Sequence, residues 1–111
     1  MSFTLHRHLD SATLRKCLPK RFHAQFRRRE FADGEFVLII FGNKSTVLSS
    51  QVRKALDELA DCDEPNRVAA GYNFTQEGSA SLSAQGFRSF SLYDGLWTDA
   101  GLKHIREVMS A

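Results

Sequence analysis

Apolar and polar positions recur along this chain first with a helical period, then with a period of two. Leu14, Cys17 and Leu18 fall on one side of a short helix that Asp10 or Ser11 can cap and that Pro19 ends. From Arg21 onward Phe22, Ala24 and Phe26 alternate with Arg21, His23, Gln25 and Arg27, as in a strand with one buried face. Asp33-Gly34 then separates Phe31 from the run FVLIIF, residues 36–41. Asp-Gly between such runs signals a type I′ turn, because both central positions need positive φ. The pattern predicts an antiparallel hairpin over about 21–41. Its second strand is apolar on both faces and belongs in the middle of a sheet covered by helices.

Downstream, Leu48, Val52, Ala55, Leu56 and Leu59 recur at helical spacing until the pattern runs out near Asp61, before Pro65. RVAAGYNF, 67–74, reads as a buried strand. Thr75 caps a shorter helix that Gly86 closes, and FRSFSLYD, 87–94, is one more strand. A last helix starts at Thr98 and buries Leu102, Ile105 and Val108 or Met109. Trp97 and Leu102 take the two positions of a hydrophobic staple. Strand-helix-strand units with helices of this length imply right-handed crossovers and parallel strands. The expected fold is a single α/β domain over residues 1–111. Its mixed sheet has the N-terminal antiparallel hairpin first, strand-helix-strand units after it, and helices on both faces.

A chain of 111 residues, 42% of them hydrophobic, is the size of one domain and can bury a core without metal or disulfide support. The longest apolar run, residues 36–41, falls far short of the roughly 20 residues that span a bilayer. MSFTLHRHLD has no apolar segment of the signal-peptide kind, so no membrane partner is expected. Cys17 and Cys62 lie in neither CxxC nor Cys/His ligand spacing, and a reduced, cytoplasmic protein is the expectation.

Charge changes the picture more. Residues 1–29 hold eight Lys and Arg against Asp10 alone, a net +7, whereas residues 30–111 hold seven basic and twelve acidic side chains, a net −5. Such asymmetry points to an anionic partner, DNA or RNA, at the N-terminal part. Self-association of the basic with the acidic end, giving a homo-oligomer, is the competing expectation. On the predicted strand Arg21, His23, Gln25, Arg27 and Arg29 share the outward face at a spacing of about 6–7 Å, which suits successive phosphates. Arg28 sits at the exposed strand end. The expected nucleic-acid contacts are therefore Arg21, His23, Arg27, Arg28 and Arg29, joined by Lys44. Backbone contact of this kind gives salt-sensitive affinity and little base readout. A row of arginines on an edge strand can instead serve to prevent edge-to-edge pairing. The rival function is a protein-interaction module, such as a homodimer whose edge strand or basic end meets an acidic surface.

Candidate chemistry is sparse. Gly42-Asn43-Lys44-Ser45-Thr46 lacks the paired glycines of a Walker loop, which excludes that nucleotide site. Backbone amides at the start of the next helix, with Lys44, Ser45 and Thr46 beside them, remain candidates for a single phosphate. His6 and His8 would share one strand face without a third ligand, and no serine lies in a Gly-x-Ser-x-Gly context. His104 needs only a surface role on the last helix. No catalytic residue, metal site or cofactor is expected.

The order of helix, hairpin, helix and strand, with Asn73-Phe74-Thr75, Gly86 and Asp94-Gly95 at the turns, resembles the latter half of restriction-endonuclease-like domains of the Mrr type. The likeness covers roughly residues 10–95 and is mainly topological. It implies a nuclease scaffold, yet Mg²⁺ ligation in that family needs an aspartate on the first hairpin strand or its turn and Glu-x-Lys on the next strand. Here that second strand reads Ile39-Ile40-Phe41. Asp33 and Glu35 flank the turn at its exposed end and form only a reserve metal pair. The resemblance thus implies a scaffold that has lost its catalytic residues and binds nucleic acid without cleaving it.

Overall fold

FVLIIF forms an inner strand, as its two apolar faces require. The computed structural model describes residues 3–18, 20–42 and 45–91, without the side chains of Arg21 and Arg28. Its elements are β1 (Phe3–Leu9), α1 (Ser11–Cys17), a 3₁₀ turn (Lys20–Phe22), α2 (His23–Arg28), β2 (Phe36–Phe41), β3 (Thr46–Val47), α3 (Ser49–Glu58), β4 (Asn66–Gly71), β5 (Asn73–Phe74), α4 (Gln76–Ala84) and β6 (Phe87–Ser91). The main sheet has the order β1-β2-β4-β6, with β1 antiparallel to β2 and the other three strands parallel. The short strands β3 and β5 pair in parallel apart from it. The fold is a single α/β domain with a mixed sheet, an antiparallel pair first and strand-helix-strand units after it.

Alternation along β2 divides the core in two. Phe36 and Leu38 face α1 and α2 together with Leu14, Leu18, Phe22, Phe26, Val68, Ala70 and Phe90. Val37, Ile39 and Phe41 face α3 and α4 together with Val52, Ala55, Leu59, Ala69, Leu82 and Phe87. Helices therefore cover both faces. Local signals set their ends: Asp10 Oδ1 accepts the Thr13 amide at 2.7 Å, Thr75 Oγ1 accepts that of Gly78 at 3.0 Å, and Gly86 at φ 80° closes α4. No helix among the described residues is long and apolar enough to cross a membrane.

The antiparallel partner of β2 is not the segment expected from the pattern. Residues 20–28 are helical, and β1 takes the place beside β2. Phe22 and Phe26, four residues apart, are buried, while Ala24 between them is exposed. Spacing by four satisfies one helix face as well as one strand face, and the exposure of Ala24 identifies the helix. Gly34 does adopt a positive φ of 127°, but its turn leads from α2 into β2 and joins no hairpin. The buried Asn66 amide fixes this turn by accepting from the Ala32 N–H at 2.8 Å and donating to the carbonyls of Ala32 and Gly34 at 2.8 and 3.3 Å. A Cβ on Gly34 would lie 2.7 Å from Pro65 Cγ.

β1 also carries a bulge. Between the His6–Leu38 and Leu9–Phe36 pairs it has one residue more than β2, and His8 there takes φ 56°. The extra residue flips the alternation: Phe3 and Leu5 pack with the α3 and α4 side, whereas Leu9 packs with the α1 and α2 side. The expectations for Pro19, for residues 92–94 of the last strand and for the helix after Thr98 lie outside the described residues.

Candidate functional site

The helical course of residues 20–28 removes the expected flat row of basic side chains. His23 turns inward, its Nε2 donating to the Arg15 and Leu18 carbonyls at 2.8 and 3.1 Å, and so terminates α1 instead of facing a ligand. Arg27 is exposed on α2 and Arg29 is exposed just after it. Lys44 and the side chains of Arg21 and Arg28 lie outside the described residues.

What the fold assembles instead is a set of arginines held against phenylalanine rings on the α1 and α2 side. The Arg88 guanidinium lies 4.7 Å from the Phe31 centroid. Phe31 stacks on Phe26 at 5.0 Å and 24°, and Arg15 lies 5.3 Å from the Phe26 ring. Arg29 lies 5.4 Å from the ring of Phe90, which meets Phe22 edge-on at 5.8 Å. Each such contact is worth about 0.5–1 kcal/mol at an exposed site and, more usefully, restricts a long side chain to one place. None of Arg15, Arg27, Arg29 and Arg88 has an ion-pair partner among the described residues. Arg15 and Arg88 do not stand out in the sequence. Arg15 sits in an ordinary amphipathic helix and Arg88 lies far along the chain, and only the packing of the fold brings them to two phenylalanines, Phe26 and Phe31, that stack on each other.

Arg7 behaves in the opposite way. Its Nε and Nη2 donate to Glu64 Oε2 and Oε1 at 3.1 and 2.8 Å, and its guanidinium also lies 3.4 Å from Asp61 and 3.7 Å from Asp63. Glu64, only 2% exposed, accepts further from the His8 N–H at 3.1 Å and from Cys62 Sγ at 3.5 Å. The hydrogen-bonded guanidinium holds the Glu64 carboxyl well below the usual carboxylate range, and the same bond raises Arg7. Burial pushes the Cys62 thiol up. His8, Asp63 and Glu64 each bring one ligand atom within 4.8 Å of the others, which is metal-site spacing. Four donors already occupy both Glu64 oxygens, however, and a cation there would sit against the guanidinium. We read the cluster as a clasp that fastens the bulged strand β1 to the loop before β4. Arg67 reinforces it by donating to the Glu64, Cys62 and Gln85 carbonyls at 3.3, 3.2 and 2.8 Å.

Two other candidates change their meaning. Thr46 pairs with Asn73 in the small β3–β5 sheet, and α3 begins only at Ser49, so Ser45 and Thr46 do not flank a helix start as a phosphate cradle would require. Asp33 and Glu35 are exposed, and Glu35 Oε1 meets His8 Nδ1 at 3.4 Å. β2 carries no carboxylate. No family model, curated protein or solved structure matches the chain, so its function has to be read from its own surface.

Proposed function

We propose that the protein binds nucleic acid non-catalytically, through the phosphate backbone, using the arginine face formed by Arg15, Arg29 and Arg88 with Arg27 beside them. The observation that carries this reading is that three guanidinium groups from α1, the end of α2 and β6 are positioned on rings and lack carboxylate partners among the described residues. An arginine that is already oriented and not neutralised keeps its charge and its planar donor fork for an incoming phosphate. Lys16 and Lys20, both exposed, extend the basic surface. In this reading the chain is a scaffold without nuclease chemistry, as the restriction-endonuclease-like resemblance implies, and it works in the reducing cytoplasm with Cys17 and Cys62 as free thiols.

Anisotropy titration of a labelled single strand and a labelled duplex across a salt series tests the proposal. Affinity falls steeply as salt rises if phosphate contacts dominate. No binding at low salt rejects it and favours the protein-interaction reading. That second reading has one observation of its own: among the described residues β6 ends the sheet, and a strand edge can accept another chain. Sedimentation at several concentrations separates it, because a dimer joined at this edge dissociates on dilution.

A further inference from the structure

Arg29 and Arg88 also border a cavity of about 370 Å³ that is completed by Ser79, Ser83, Phe87 and Ser89. The cavity wraps round the edge of β6. Arg88 lies on the side of Phe31 and Phe90, whereas Phe87 packs with the α3 and α4 side, where α4 contributes Ser79 and Ser83 one helical turn apart. Two arginines and three serines thus line one space round the strand edge, and no carboxylate is among its described lining residues. A second cavity of about 590 Å³ shares the three serines and continues to Asn73, Phe74 and Gln76.

We propose that the smaller cavity receives a phosphate monoester, that of a nucleoside monophosphate either free or at the end of a nucleic-acid strand. The proposal rests on the nucleic-acid reading above in taking the ester as a nucleotide's. A monoester carries a charge near −2 and three free oxygens, enough to engage two arginines and the serine hydroxyls together. A diester inside a strand carries a single negative charge and must give up two of its oxygens to the continuing chain. The larger cavity accommodates the attached nucleoside: the serines border the sugar, the half-buried Phe74 ring offers a stacking surface, and the Asn73 and Gln76 amides supply hydrogen bonds to a base edge.

The test compares one labelled single strand in three forms, with hydroxyl ends, a 5′-phosphate or a 3′-phosphate, with AMP and inorganic phosphate as competitors. The expected result is at least tenfold tighter binding of one phosphorylated form, with AMP removing that gain. Ser83→Glu, which places a carboxylate in the cavity from an exposed helix position, abolishes the gain, so that the phosphorylated and hydroxyl-ended strands bind it equally well, and a gain that persists in this variant overturns the pocket. Ser79→Glu serves as a second variant, and circular dichroism checks that both are folded. Equal affinity for all three strands, with no displacement by AMP, overturns the pocket and leaves the backbone reading standing. AMP binding without strand binding does the reverse. Displacement by inorganic phosphate as effective as by AMP overturns the nucleoside part of the proposal.

Discussion

Glu64 shows how far one side chain departs from what its neighbourhood in sequence suggests. In Asp61-Cys62-Asp63-Glu64 it looks like one of three equivalent surface acids, yet it is buried while Asp61 and Asp63 are exposed. The difference comes from Arg7, more than fifty positions away, whose fork fills both carboxylate oxygens. Glu64→Gln keeps the shape and loses the charge-assisted bonds, so it should destabilise the protein by about 2 kcal/mol at neutral pH. The pH dependence has a definite sign. The folded-state pKa lies below the unfolded value of about 4.3, so this stabilisation is complete above the unfolded value and is lost as the pH falls below it. Urea denaturation at pH 7 and at successively lower pH should show the gap between wild type and Glu64→Gln narrowing from about pH 4 downward. A gap of constant size would mean that the carboxylate charge contributes nothing.

Among the elements, legibility follows how many independent signals each segment carries. β2, α3 and α4 each have length, period and punctuation in agreement: an apolar run ending at Gly42, a Leu-Val-Ala-Leu stripe, and a Thr75 cap with Gly86 at the close. α2 has a period alone, and Phe22-x-Ala24-x-Phe26 fits both periods because four residues are nearly one helical turn and also two strand repeats. β1 is hard to see in the sequence because its bulge breaks the alternation at His8, so that Phe3, Leu5 and Leu9 do not mark one face. The two readings of residues 22–26 make different predictions at Ala24. On the observed helix it faces water, so Ala24→Lys should change stability by less than about 0.5 kcal/mol, whereas an inward strand position would bury the ammonium. Phe22→Ala should cost about 3–5 kcal/mol through the cavity it leaves. Thermal unfolding of the Ala24 variant distinguishes the cases, and Phe22→Ala, buried in both, calibrates the size of a core effect. An intolerant Ala24 would reject α2.

For the molecule as a whole, the charge asymmetry read from the sequence survives in altered form. The N-terminal excess of positive charge does not stand as one row. Arg7 is consumed by the acidic clasp at the β1 bulge, while Arg15, Arg27 and Arg29, on the α1 and α2 side, have no ion-pair partner among the described residues and gain Arg88 from the other end of the described chain. That rearrangement is not legible in the sequence, because it depends on the sheet order that puts β6 beside β4 and under α2. It also makes the proposed function separable from a mere effect of net charge. Replacing Arg15, Arg29 and Arg88 by alanine should lower the slope of log affinity against log salt by about 2–3, since each phosphate no longer neutralised removes about 0.7–0.9. Arg53 and Lys54 are exposed on α3, which packs on the opposite side of the sheet. Replacing these two removes charge as well, but both lie away from the proposed phosphate path. Affinity should therefore shift slightly, with the slope within about 0.5 of the wild-type value. Equal loss of slope in both variants would mean that nucleic acid responds to total charge, and the arrangement of arginines over phenylalanines would then have no part in binding.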